Sequence, residues 1–280
     1  MSLNFELRRE HHAIGEFTAS LNFFQPISAP TFAVVTSALK EVAQGLNLPA
    51  SVPVPSFQFT VEMQGSPGVV PPQIQSNGVG FQRFSPEGEI AEFLSCSPSA
   101  ITYVLRDYTV WEEVGAKVVE IFSRLAASYV KEVPAIESVR VQYQNEFRSL
   151  IGSPLSAAEL FRADNGWVAP IACQSMEAWH SHVGVYIPHS EIERRLVNVN
   201  CDISPLQFPG EGVPRTLAKV LVFCGCFFNV PGKQPLILSG EELVSTLRTK
   251  FDEAHDLEKL VLGEVISDPY LRAIGALHAE

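Results

Sequence analysis

Apolar residues at Ala13, Phe17, Ala19, Leu21 and Phe23 alternate with polar Glu16, Thr18, Ser20 and Asn22. A period of two predicts a strand with one face in a core and the other toward water. After Ser28 the period lengthens. Phe32, Val35, Leu39, Val42 and Leu46 recur at helical spacing, with Pro30 in the first turn and Gly45 at the end. Residues 49–55 are proline-punctuated, and Phe57, Phe59, Val61 and Met63 alternate as a second strand. The Gly/Pro-rich, uncharged stretch 65–78 predicts an exposed loop. Short strands follow near 79–84, 89–95 and 100–106, turned by SPEG at 85–88 and SPS at 97–99.

The clearest helix begins at Thr109, which has capping-box spacing to Glu112. Its apolar face is Trp111, Val114, Val118, Ile121, Phe122, Leu125 and Tyr129. Beyond Pro134, Val139, Val141, Tyr143 and Phe147 alternate again. Residues 148–170 predict a boundary, with a short helix in RSLIGSPLSAAELF and a loop after it. In the second half, Trp179, Val183, Val185 and Ile187 mark the core face of a strand, and Val197, Val199, Cys201 and Ile203 that of the next. The run 217–230 is apolar on both faces, which predicts a strand that is central or covered on both sides. Ser239 and Glu242 form a second capping box. It introduces a helix bearing Leu243, Leu247, Phe251, Ala254, Leu257 and Val261, with Gly263 expected to end it. The expected class is α+β: two β-rich halves with largely antiparallel sheet, 1–148 and 149–280, each covered by one long helix and together forming one compact unit or two domains. No residue-level repeat relates them.

Composition narrows the function classes. The chain has 280 residues, 46% hydrophobic, enough for one large core or two small ones. Its net charge is −11 and its Lys and Arg are scattered, so the basic stripe of a nucleic-acid binder is missing. Five cysteines without framework spacing fit a reducing compartment. The N-terminal residues carry no apolar signal core, and 217–230 is too short for a bilayer-spanning helix and contains Lys219. The expectation is a soluble cytoplasmic protein with no membrane span and no nucleic-acid partner.

Asp252-Glu253-Ala254-His255 spells DEAH, the letters of a helicase motor box. Such a box needs a buried strand before it and a G-x-x-x-x-G-K-[ST] phosphate loop elsewhere. Here the preceding VSTLRTKF has a helical period, and the Gly232-Lys233 pair is followed by Gln234 and Pro235. The letters are therefore read as an amphipathic helix with Phe251 and Ala254 inward and the acids outward.

Phe84-Ser85-x-Glu87-Gly88, Tyr108-x-x-Trp111, Tyr143-x-Asn145 and Asp252-x-x-His255 follow one another in a set order. In order and spacing they resemble a sporadically distributed bacterial family of uncharacterised proteins. That family's motifs are Phe-Ser-x-Asp/Glu-Gly, Tyr-x-x-Trp, Arg-Tyr-x-Asn and Asp-x-x-His. Gln142 stands where the family pattern has Arg, which weakens the idea of an anion site on that strand. The resemblance implies a fold and no activity.

Candidate chemistry is sparse. His180 and His182 share one strand face at a spacing common among metal ligands, and Cys224 and Cys226 share another. No C-x-x-C or H-x-x-x-H supports a site, so solvent-facing histidines and core thiols are expected, with no metal and no cofactor. There is no G-x-S-x-G elbow. Glu146, Asp252 and His255 are a triplet of the sort any acidic protein offers. Arg140, Gln142, Asn145, His180, His182 and His255 are the candidates for ligand or partner binding, and no catalytic residue stands out.

Two functions follow. One is an interaction protein that binds a protein partner or itself: an accessory, immunity-, antitoxin- or defence-associated subunit. Acidic proteins of this sort meet basic partners quickly through complementary charge. The other is a ligand-binding protein or enzyme with its pocket between the two halves. A flat apolar patch with an acidic rim would favour the first. A polar cleft holding a perturbed carboxylate or His would favour the second.

Overall fold

A computed structural model describes residues 4–7, 12–58, 73–151, 158–207, 210 and 212–276. The protein is α+β, and its strands form one continuous antiparallel sheet. In chain order the strands are β1 (Phe5–Leu7), β2 (Ile14–Phe23), β3 (Ala50–Gln58), β4 (Gln73–Phe84), β5 (Ile90–Ser97), β6 (Ala100–Leu105), β7 (Ala135–Ser149), β8 (Trp179–Pro188), β9 (Arg194–Leu206), β10 (Arg215–Phe227) and β11 (Leu236–Ile237). They lie in the order β3-β4-β5-β6-β2-β7-β10-β9-β8, with the short β1 and β11 also paired to β7. β7 is the spine. It bonds β2 from Ile136 to Asn145 and β10 from Ser138 to Arg148. Its length follows from its sequence, because apolar Val139, Val141, Tyr143 and Phe147 keep to one side, interrupted only by Asn145, with no proline or glycine between them.

The helices are α1 (Ala29–Gly45), α2 (Trp111–Tyr129), α3 (Pro170–Cys173), α4 (Leu243–Val265) and α5 (Asp268–Ala273). α1, α2 and α4 lie side by side on one face: α1 against β4 and β5, α2 against β6, α4 against β7 and β10. The core sits between this layer and the inward side chains of the sheet. It includes Phe17, Tyr103, Phe122, Tyr143, Phe147 and Phe251. The sheet does not divide clearly into two halves under one helix each, since α2 touches both α1 and α4. Among the described residues, no helix is long and apolar enough to cross a membrane.

Several local expectations change. Residues 73–78, read as loop, belong to β4, while 59–72 lie outside the described residues. The proline-punctuated stretch 49–55 is largely strand, because an edge position tolerates prolines that cannot donate to a ladder. The predicted short helix within 148–161 begins as the end of β7, and residues 158–160 form a turn; 152–157 lie outside the described residues. Gly263 does not end α4, which continues to Val265 before Pro269. Thr109 does not cap α2: the N-cap is Val110, and the Thr109 hydroxyl bonds the Glu113 carboxylate at 2.8 Å. Ser239 does accept from the Glu242 amide at 3.3 Å, although regular helix starts only at Leu243. β10 is central, but its second face is open, with Lys219, Leu221 and Phe223 half-buried.

Candidate functional site

β7 divides the candidate residues between two environments. Successive side chains of a strand point to opposite faces. Tyr143 and Asn145 therefore face the helices, while Arg140 and Gln142 face away from them. His255 joins the first group, and His180 and His182 the second.

On the helix side the DEAH letters lie in α4, as expected, but they do more than fill a stripe. Asp252 Oδ1 accepts a 2.9 Å hydrogen bond from Trp111 Nε1, at the first residue of α2. The Trp111 indole stacks on the His255 imidazole, with ring centres 4.4 Å apart and planes 17° from parallel. Gly115 permits this: a Cβ there would stand 2.8 Å from the indole, so only glycine lets the ring lie back along its own helix. His255 Nδ1 is hydrogen bonded to Tyr143 Oη at 2.8 Å, and Tyr143 also bonds Tyr108. One turn beyond His255, Glu258 is 3% exposed and its Oε1 has no hydrogen-bond partner among the described residues. The Asn145 amide nitrogen is likewise buried and unpartnered.

Burial sets the charge states of this cluster. It holds His255 down to about 4, with Lys259 adding to the effect, so the imidazole is neutral at neutral pH. It pushes the Glu258 carboxyl up to about 8. Tyr143 is raised well above the usual phenol range, by burial first and then by neighbouring Tyr108 and Glu258. Neutral, packed groups suit a lock between α2, α4 and β7 better than acid–base work on a solute.

The other face carries no helix among the described residues. Thr18, Ser20 and Asn22 of β2, Thr102 and Val104 of β6, Gln142 and Gln144 of β7, Leu221 and Phe223 of β10, and Asn198 and Asn200 of β9 stand in cross-strand rows there. Arg140 bonds the Ser138 hydroxyl at 2.7 Å and stacks over Phe227 at 4.8 Å. His180 Nδ1 lies 2.6 Å from Asp202, and His182 Nε2 lies 2.5 Å from Asn198 Oδ1. Both imidazoles are exposed, with ring centres 6.4 Å apart.

At one end of this face a groove of about 530 Å³ crosses β2, β7 and β10. Glu16, Arg106, Gln144, Glu146, Arg148 and Lys219 line it. Gly15 shapes it. A bulge in β2 falls at this residue, and a Cβ would stand 2.8 Å from the Glu146 carboxyl carbon. A second hollow of about 650 Å³, lined by His180 and Asp202, shares Leu206, Leu217 and Lys219 with it. Glu146 thus sits on the opposite face of the sheet from Asp252 and His255, and the triplet does not assemble.

Sequence reasoning missed a further cluster. His189, Glu193 and Glu253 bring ligand atoms within 4.8 Å of one another. Lys250 already bonds Glu193 at 2.7 Å and Glu253 at 3.0 Å, and Arg195 reaches Glu253 at 3.1 Å. Burial raises the Glu193 carboxyl, but Lys250 outweighs it and the net shift is downward. Two cations balance two carboxylates, leaving no net charge to attract a divalent ion. Cys224 and Cys226 are buried thiols, and burial pushes Cys226 up to about 12.

No protein-family model matches the chain, and no curated protein matches it significantly.

Proposed function

We propose that this chain is an interaction protein, an accessory subunit of the immunity, antitoxin or defence-associated kind, whose working surface is the helix-free face of the sheet. One observation carries the proposal. Among the described residues no helix covers this face, where hydroxyls and amides of β2, β6, β7 and β9 interleave with Phe93, Val104, Leu221 and Phe223. Away from the charged groove at one end, aromatic and aliphatic side chains set among neutral polar groups make a surface of interface type. The face is not apolar with an acidic rim, so shape and amide bonding rather than net charge would select the partner. The test is capture from the native host with wild-type protein and with a Gln142→Glu, Phe223→Glu variant. A specifically enriched protein should be lost with that variant and kept with Glu120→Lys on the exposed side of α2. Equal capture by the face variant sinks the proposal.

The family resemblance belongs to the same proposal. Its support is that Tyr108, Trp111, Tyr143, Asp252 and His255, from three motifs far apart in sequence, meet in one cluster. Such residues would be retained to hold the fold, whatever the partner.

The polar groove favours a second reading, a ligand-binding protein. Its mixed lining of Arg106, Arg148, Lys219, Glu16 and Glu146 suits a small zwitterionic solute. A thermal-shift screen would reveal a stabilising compound whose effect disappears in Lys219→Ala. A screen of zwitterions giving no Lys219-dependent shift removes this reading.

A further inference from the structure

The two ends of the sheet are treated differently. At one end β3 carries Pro53 and Pro55, which offer no N–H to an incoming strand. At the other end β8 has no proline before Pro188 and no Lys, Arg, Asp or Glu from Trp179 to Ile187. Natural edges are protected by proline, charge or a covering element. β8 lacks the first two. α3 packs near its start, since Cys173 lies beside Cys201, the cross-strand neighbour of Ser181. Toward its end Val185, Tyr186 and Ile187 are 39%, 49% and 40% exposed.

We propose that β8 pairs antiparallel with β8 of a second copy, joining two sheets across a two-fold axis. The charge pattern selects this occupant. At a net charge of −11 two copies repel, and self-association must bring together a stretch without carboxylates. β8 is such a stretch, and it is self-complementary. An axis at Gly184 sets Val183 opposite the partner's Val185 and Ile187 opposite the partner's Ser181 on the helix side, and His182 opposite the partner's Tyr186 on the open side. The edge amides and carbonyls of both strands then gain partners. The open faces of the two copies become continuous, although the pairing does not depend on what that face binds.

Sedimentation velocity on the full chain tests this. From low micromolar to about 100 μM the wild type should shift from a 30.7 kDa monomer to a dimer. Val185→Lys and Ile187→Lys, at exposed positions, should each weaken the dimer by about tenfold or more while leaving the circular dichroism unchanged. Amide hydrogen exchange supplies a readout that needs no variant: β8 amides should slow as concentration rises, and those of β3 should not. A monomer at every concentration, a dimer that both lysine variants leave intact, or β8 exchange independent of concentration would each overturn the proposal.

Discussion

Burial pushes the Glu258 carboxyl up to about 8 from an ordinary value of 4.5. Between these values the folded protein holds a proton that the unfolded chain has lost. Its stability is therefore whole below 4.5 and drains as pH rises through 8. His255 works in the opposite sense. Lowered from 6.5 to about 4, it contributes fully above 6.5 and is lost as pH falls through 4. The two slopes oppose each other in mild acid, and above pH 6.5 that of His255 has ended while that of Glu258 continues. Urea unfolding of the wild type should therefore show a loss of roughly 2 kcal/mol between pH 6.5 and 8. Glu258→Gln should remove most of that loss; an equal loss in the variant would mean another group is titrating. Trp111 gives a second residue-scale prediction. Trp111→Ala loses the stack on His255 and leaves Asp252 without its donor, and should cost about 3 kcal/mol. A melting curve unchanged by it would show that the indole does not join α2 to α4.

At the scale of elements, α2 is fastened to the sheet in its second turn by an ion pair whose carboxylate is buried and whose ammonium reaches the surface. Glu92 of β5 is 3% exposed and accepts from Lys117 at 2.6 Å, Tyr103 at 2.6 Å and Arg83 at 3.1 Å. Burial alone would raise this carboxyl, but Lys117, Tyr103 and Arg83 together bring it below its usual value. Lys117→Met leaves a buried carboxylate short of a cation and should destabilise by about 3 kcal/mol. Adding Glu92→Leu should restore part of it, because the desolvation cost of the buried carboxylate goes as well, while the buried Tyr103 hydroxyl loses its acceptor. Chemical denaturation of the two variants checks this, and a double variant no better than the single would refute it. The helical period of α2 was legible in sequence. Its clasp was not, because Glu92, Tyr103 and Lys117 belong to three elements whose adjacency no local pattern encodes.

For the whole molecule, the continuity of the sheet has a mechanical consequence. A cut between residues 148 and 149 separates β7 from β10, which pair from Ser138↔Phe227 to Arg148↔Leu217. Fragment 149–280 would then carry a second unpaired edge beside exposed apolar core, and should not fold alone. The intact chain should unfold in one transition, with tryptophan fluorescence and far-ultraviolet dichroism coincident. A dispersed amide spectrum from the isolated fragment would show two autonomous domains instead.

Periodicity in the chain determines most elements, because alternation and the helical repeat are local consequences of burying one side. It also determines that the DEAH letters lie on a helix and that His180 and His182 share a face. Strand order lies beyond it, since pairing depends on contacts between distant segments. That order places β7 in the middle, sends Tyr143 and Asn145 to the helix side and Arg140 and Gln142 to the open side, and parts Glu146 from His255. It leaves β8 at an edge, so that Val185 and Ile187, apolar by pattern and read as core, are exposed. Apolar alternation says which side of a strand turns from water; only the tertiary arrangement supplies the neighbour that covers it.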